Sequence, residues 1–333
     1  MKVVRISTKS RKKWVSQAFV SVILSRDTLR ASMRPPILAL YRERESQSAI
    51  LHNHHNPAPA ETQMKSFPLF MALLLACTGF SRADEPAAIP PTPAPQMIFF
   101  LGDSITKAGG YVRIIKDALI KQSPTNPPQI HNFGHMSETL SGLSEAYHPG
   151  RRPCAHNWLG KVLEEKPNWV IACYGINDGI YHPFSEARFK AYREGVENLI
   201  RKVRGAGARL ILLTPPPFAS AGPPLPVDLD AAGREAFLAH DNAEAEKEAE
   251  KDVNKFGYRT AYPYYDQVLA RYSQWLLTLA GQDGVYVVDI RTPMLARIKE
   301  THGGDAIHPN GTGHAIMAET FLKQWPTIQA TGQ

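Results

Sequence analysis

The chain of 333 residues lacks several features that would place it in a class at once. Its three cysteines are too few for the disulfide framework of a small secreted domain. It has no cluster of His, Cys and carboxylate side chains with metal-ligand spacing and no glycine-rich phosphate loop, so we expect neither a metal nor a cofactor. The apolar stretch at residues 67–80 is too short to span a bilayer comfortably, so we expect no membrane span.

An excess of positive charge is absent from most of the chain, although the formal net charge is +7. Residues 1–63 contain 11 Lys and Arg against four Asp and Glu, which accounts for the whole excess. The remaining 270 residues are formally neutral. The basic isoelectric point therefore does not indicate a nucleic-acid partner, and no motif supports one.

Residues 64–83, MKSFPLFMALLLACTGFSRA, have the pattern of a secretory signal peptide. A short basic start is followed by an apolar stretch and then by small residues at the positions a signal peptidase needs. We therefore expect an exported protein, periplasmic or extracellular, and we interpret residues 1–63 as a gene-model artefact. An anchored or extended leader is the alternative. Residues 84–95, which are rich in proline, are predicted to be a linker.

Two questions about cysteine stay open at this point. Leu74-Leu75-Ala76-Cys77 resembles a lipobox, with a bulky residue at one position, so Cys77 is a candidate lipid anchor. Removal of the signal peptide would leave Cys154 and Cys173, which an exported compartment allows either to pair or to stay free.

Residues 96–328 alternate short apolar runs with helical stretches. Strands are predicted at 97–101, 129–133, 168–175, 208–214 and 285–290, and helices at 111–122, 156–166, 184–204, 264–280 and 312–323. Strands separated by helices of this length indicate βαβ crossovers. The prediction is one α/β domain, a three-layer α/β/α sandwich with a five-stranded parallel sheet of the flavodoxin-like kind.

Residues suited to acyl transfer follow the predicted strands. Ser104 follows the first strand, where its hydroxyl is exposed on a strand-to-helix turn and its N–H lies near a helix N-terminus. Asn177 follows the third strand, and its amide can donate into an oxyanion hole. Asp305 and His308, three residues apart before the last helix, can form a carboxylate–imidazole pair. Each motif alone is weak, and their order and placement carry the prediction of a Ser-His-Asp triad.

With these motifs, residues 96–325 resemble the GDSL/SGNH hydrolase superfamily. Gly102-Asp103-Ser104 is similar to its first block, Gly175-x-Asn177-Asp178 to its third and Asp305-x-x-His308 to its last. The resemblance implies an SGNH hydrolase fold and an oxyanion hole made of the Ser104 N–H, the Asn177 side chain and a backbone N–H from the second block.

The second block departs from the family pattern. The family has Asn-x-Gly-x-x-Gly-x-Thr, whereas residues 132–139 read Asn-Phe-Gly-His-Met-Ser-Glu-Thr. Ser137 stands at the glycine that supplies the oxyanion N–H. Serine can serve there if the backbone conformation tolerates a Cβ.

Four further residues near the motifs are candidates for substrate binding: Asp103, His135, Asp178 and His182. The alternative for Asp178 is a structural hydrogen bond, and for His135 and His182 it is a loop position with satisfied ring nitrogens. The stretch 218–263 is longer than a minimal family member needs. We interpret it as an insertion that forms a lid or specificity element, with a structural role as the alternative.

Three functions are compatible with these motifs. We expect an exported carboxylic ester hydrolase that removes acetyl or other short acyl groups from carbohydrate, so its partner would be a small-molecule or carbohydrate ester. A lysophospholipase or lipase is the alternative enzyme, although the insertion is charged and Pro-rich rather than apolar. A catalytically inactive glycan-binding module is the alternative of another class.

We predict that the exported protein begins near Asp84, because Ser81-Arg82-Ala83 places small residues at the cleavage positions. N-terminal sequencing of the secreted product checks this. Peptides from residues 1–63 in the mature protein would contradict both the cleavage site and the interpretation of that segment.

Overall fold

A computed structural model describes residues 94–146, 148, 154–220 and 222–331. The predicted segments 1–63 and 64–83, with Cys77, and most of the linker at 84–95 lie outside the described residues. Within the described part, Cys154 and Cys173 are free thiols. None of the helices described is both long and apolar enough to cross a membrane.

Five parallel strands form one sheet in the order β2-β1-β3-β4-β5. Their bounds are β1 Met97–Gly102, β2 Gln129–Asn132, β3 Trp169–Cys173, β4 Arg209–Leu213 and β5 Val285–Val288. Every residue of β3 is buried, as expected of a central strand covered on both faces. The predicted α/β fold with a five-stranded parallel sheet is confirmed.

Nine α-helices accompany the sheet in the described residues. They are α1 Ser104–Ala108, α2 Gly110–Gln122, α3 Leu159–Leu163, α4 Glu186–Gly205, α5 Ala231–Lys251, α6 Tyr265–Leu277, α7 Arg291–Ala296, α8 Ile298–Thr301 and α9 Gly311–Thr331. The short helices α1, α7 and α8 were not predicted, because a helix of one or two turns has too few residues to show a period.

Most predicted boundaries differ from the structure by one to three residues, and the end of the last helix differs by eight. The last strand ends at Val288 rather than at residue 290, because the Asp289 carboxylate accepts the N–H of Thr292 at 3.1 Å and begins a turn. The last helix continues eight residues beyond residue 323, to Thr331. Trp325 is buried there against Trp169, with ring centroids 5.0 Å apart, so tertiary packing extends the helix past Pro326.

The predicted insertion at 218–263 contains the charged helix α5 and is joined to the turn that follows Asn177. The Asn242 side chain accepts the N–H of Phe184 at 2.6 Å and donates to its carbonyl at 3.0 Å. The N–H of Tyr262 donates to the Tyr181 carbonyl at 2.9 Å. The insertion is therefore a packed part of the domain that contacts residues 181–184.

Two glycines of α4 give a matched test of packing against the helix. A Cβ on Gly195 would lie 2.5 Å from the Leu140 carbonyl oxygen, whereas nothing lies within 4 Å of one on Gly205. We predict that Gly195→Ala lowers the free energy of unfolding by about 1–3 kcal/mol through overpacking. Gly205→Ala, the control, should leave it unchanged or raise it slightly. Chemical denaturation measures both, and equal stabilities of the two variants would contradict the packing.

Candidate active site

Ser104 is the first residue of α1, directly beyond the carboxyl end of β1. The Asp103 carboxylate caps this helix by accepting the N–H of Ile105 at 2.9 Å. Gly102 allows the tight strand-to-helix turn, since a Cβ there would lie only 2.1 Å from Thr106 Oγ1 and 2.7 Å from the Cys173 carbonyl oxygen. Cap and glycine together hold the serine at the edge of the sheet where parallel α/β folds bind ligands.

A continuous hydrogen-bonded relay starts at this serine. Ser104 Oγ lies 2.8 Å from His308 Nε2, and His308 Nδ1 lies 2.5 Å from Asp305 Oδ2. A carboxylate only accepts hydrogen bonds, so Nδ1 carries the proton and Nε2 is free to accept the serine hydroxyl proton. The three residues of the predicted triad are thus in contact in the order that acyl transfer requires.

The carboxylate of Asp305 is held by its own loop. Its Oδ1 accepts the N–H groups of Ile307 at 2.7 Å and of His308 at 3.2 Å. Partial burial raises the pKa of Asp305, but the hydrogen bonds from His308 and these N–H groups outweigh it and lower the pKa below its ordinary value. Asp305 is therefore ionised near neutral pH and can orient the imidazole. The pair lies at the surface, with side chains 41% exposed for His308 and 53% for Asp305.

The second block lies directly against the first. The Asn132 side chain donates to the Thr106 carbonyl at 2.6 Å, and the N–H of His135 donates to the Gly102 carbonyl at 2.8 Å. Gly134 is required because a Cβ would lie 2.2 Å from the Lys107 nitrogen. These contacts hold residues 132–135 against the residues on either side of Ser104. Ser137, two residues further along, has a φ of 59°, the left-handed conformation that favours glycine.

Asn177 is buried, and its amide is oriented by two hydrogen bonds. Its Oδ1 accepts the hydroxyl of Tyr181 at 2.6 Å, and its Nδ2 donates to the Glu138 carbonyl at 3.3 Å. The first contact distinguishes the two ends of the amide, so the NH₂ group faces the second block. One of its two hydrogens stays available for another acceptor.

Asp103 and Asp178, two of the predicted substrate-binding residues, are buried carboxyls that contact protein groups. Asp178 Oδ1 accepts the N–H groups of Leu140 at 2.9 Å and Ser141 at 2.8 Å, which joins the loop after the second block to β3. Burial raises the pKa of Asp178 to about 6. Burial, with a smaller contribution from the charge of Asp178, raises the pKa of Asp103 to about 7. Contact with substrate stays a prediction for both residues.

The two candidate histidines occupy different positions. His135 lies in the second block, with Nδ1 3.2 Å from the Met136 carbonyl oxygen, and is half-buried. His182 is buried against Phe256, with ring centroids 5.8 Å apart. Burial, assisted by the charge of Arg188, lowers the pKa of His182 to about 4, so its ring is neutral near pH 7. Neither ring belongs to the relay, and substrate contact stays a prediction for both.

Tyr181 is the residue that sequence reasoning missed. Its hydroxyl orients Asn177, yet its own φ is 61° and that of Ile180 is 49°. Two successive residues in the left-handed region form a turn that returns the tyrosine ring towards Asn177. No signal in the sequence announces this turn, because neither residue is a type that favours positive φ.

A family model described as GDSL-like Lipase/Acylhydrolase matches residues 100–316, more than half of the chain. No curated protein matches this chain.

Three similar solved structures illustrate the range of likeness. A mutant of Axe2, an acetyl-xylooligosaccharide esterase from Geobacillus stearothermophilus, is 19% identical over 70% of this chain and 94% of its own, with a TM-score of 0.46. LAE5, an alpha/beta hydrolase enzyme from the metagenome of Lake Arreo, is 22% identical over 71% and 98%, with a TM-score of 0.44. A putative SGNH hydrolase from Slackia heliotrinireducens is 16% identical over 69% and 99%, with a TM-score of 0.43. Because these values are low, the family assignment depends on the family model.

We predict that Ser137→Gly raises the free energy of unfolding by about 0.5–1 kcal/mol, because glycine adopts the left-handed φ of 59° without the strain of a Cβ. Ser185→Gly is the matched control, since Ser185 has a φ of −135° and makes no capping hydrogen bond through its side chain. The control should be neutral or destabilising. Urea denaturation compares the two, and a loss of stability in Ser137→Gly would contradict strain at this position.

Proposed function

Because the chain belongs to the GDSL-like lipase/acylhydrolase family and is therefore a carboxylic ester hydrolase, we propose that Ser104 is its nucleophile, His308 its general base and Asp305 the carboxylate that orients the base. The observation that carries this proposal is the unbroken relay from Ser104 Oγ through His308 to Asp305, with contacts of 2.8 and 2.5 Å. The resemblance of the first, third and last sequence blocks to this family agrees with the assignment.

The reaction follows from the protonation states of the relay. His308 Nε2 takes the proton of Ser104 as Oγ attacks the ester carbonyl, and Asp305 stabilises the imidazolium that forms. Collapse of the tetrahedral intermediate expels the alcohol with the proton from His308 and leaves an acyl-serine. Water then enters, His308 deprotonates it, and the second collapse releases the carboxylic acid and restores the serine.

Charge on the tetrahedral oxygen would be stabilised by the N–H of Ser104, the N–H of Ser137 and the side chain of Asn177. Two contacts support this set. His135 N–H bonds the Gly102 carbonyl, and the Asn177 amide bonds the Glu138 carbonyl, so the three donors lie on segments that are directly joined. Among the described residues, neither the Ser104 nor the Ser137 N–H has another acceptor.

We propose that the substrate is a short-chain acyl ester, such as an acetyl ester, of a carbohydrate. The support is the exposure of the base and its carboxylate, which places the leaving alcohol at the surface where a large polar alcohol has room. The insertion contacts the turn after Asn177, and we assign it to the alcohol side as a specificity element. We further propose that the protein acts after export, on the pattern of residues 64–83.

We predict that Ser104→Ala lowers kcat by about 10⁶-fold if the three residues act as a unit, and that a double variant with His308→Ala loses no more. The measurement crosses acyl length, from acetyl to long chain, with alcohol type, namely aryl, sugar and glycerophospholipid. Wild-type protein should be most active on acetyl esters and should accept acetylated sugars.

Circular dichroism and thermal unfolding serve as controls that the variants fold. Esterase activity near that of the wild type in Ser104→Ala would refute the nucleophile. A preference for long-chain glycerophospholipid would leave the nucleophile in place and replace the carbohydrate substrate with a lipid one.

A further inference from the structure

His308 and Asp305, the proposed general base and its carboxylate, lie on a surface loop, so the loop itself must be held in place. An ion pair as exposed as Asp305 and His308 contributes little to its own positioning, because exposed pairs are worth about 0–1 kcal/mol. The rate of acyl transfer, in contrast, depends on holding the imidazole within hydrogen-bond reach of Ser104. Some other group must therefore hold this loop.

The loop of residues 302–310, here called the base loop, accepts a hydrogen bond near its centre from a segment outside it. The Ala219 N–H donates to the Ala306 carbonyl at 2.8 Å, between Asp305 and Ile307. Ala219 follows β4 through the run Pro215-Pro216-Pro217, whose fixed φ angles leave few conformations. The segment 215–219, here called the β4 exit, is thus a stiff arm that reaches the base loop.

The β4 exit is held in turn by an ion pair between a partly buried aspartate and a buried arginine. Its Phe218 N–H donates to Asp266 Oδ1 at 2.8 Å, and Arg291 Nη2 donates to Asp266 Oδ2 at 2.6 Å and to the Asp266 carbonyl at 3.1 Å. The Arg291 side chain is 6% exposed. Its backbone N–H is bonded to Thr214 Oγ1 at 3.0 Å, so the arginine is tied to the end of β4 as well.

The same exit also touches the oxyanion side of the site. The Phe218 ring packs against Tyr265, with centroids 5.5 Å apart, and against Tyr181, at 6.2 Å. Tyr181 is the residue whose hydroxyl orients the Asn177 amide. The β4 exit therefore contacts the base loop through the backbone of Ala219. It also contacts Tyr181, which orients Asn177, through the ring of Phe218.

We propose that Asp266, held by Arg291, is a positioning residue that sets the β4 exit and through it aligns His308 and Asp305 with Ser104. The proposal rests on the proposed function, since it assigns a role to the triad. Asp266 touches neither the substrate nor the reacting atoms, so its effect is on kcat through geometry and not on substrate binding.

The most direct variant is Ala219→Pro, which removes the N–H that donates to the Ala306 carbonyl. Steady-state kinetics on an aryl acetate are measured with active sites counted by fluorophosphonate titration, so that kcat refers to folded, reactive protein. We expect kcat per titrated site to fall about 10- to 100-fold, with KM within about twofold of wild type. Thr125→Pro is the matched control, a proline added after Pro124 at an exposed residue of the loop between α2 and β2, and it should behave as wild type.

The ion pair is tested separately by Asp266→Asn and Asp266→Glu, with the glutamate expected to recover at least part of the kcat that the asparagine loses. These two Asp266 variants test the proposal if Ala219→Pro does not fold. A purely structural role would reduce the number of titrated sites and leave kcat per site at the wild-type value, which would overturn the proposal. Activity in Ser104→Ala would instead sink the proposed function, so the two failures are distinguishable.

Discussion

The hydrogen bond from Ser104 to His308 joins residues that are 204 positions apart, and the rest of the site depends on it. Parallel strands place their carboxyl ends at one edge, which brings Ser104 to the site from β1. Helix packing places His308 beside Ser104. The ring of His314 in α9 stacks on Tyr111 of α2, with centroids 6.2 Å apart, and a Cβ on Gly110 would lie 2.6 Å from it. This close crossing holds the start of α9, and hence the loop before it, beside the helix that follows Ser104.

Around this bond, buried carboxyl groups lie beside an exposed Asp-His pair. Asp103 and Asp178 are fully enclosed and accept backbone N–H groups, so they shape the loops that carry Ser104 and Ser137. Asp305 and His308 stay partly exposed to solvent. Burial raises the pKa values of Asp103 and Asp178, whereas hydrogen bonds from His308 and from its own loop outweigh partial burial and lower the pKa of Asp305.

Much of the fold and the relay could be predicted because local sequence patterns indicate both. Five apolar runs separated by amphipathic stretches indicate the parallel sheet, and the order of the motif residues indicates the family, which the family model confirms. Element ends were less predictable. The last helix continues because Trp325 finds a buried place against Trp169, and the last strand stops because Asp289 begins a turn. Both depend on neighbours remote in sequence.

The sequence by itself determined which chemistry is available: a serine after the first strand, an amide after the third and an Asp-His pair three residues apart. It also raised the question of the serine at position 137. Only the tertiary structure decided that Ser137 takes a left-handed conformation, that Tyr181 turns back to orient Asn177, and that Arg291 and Asp266 hold the β4 exit against the base loop. Those outcomes depend on contacts between segments that are far apart in the sequence. Hydrogen bonds and packing depend on how close two groups are in space, which no local sequence pattern shows.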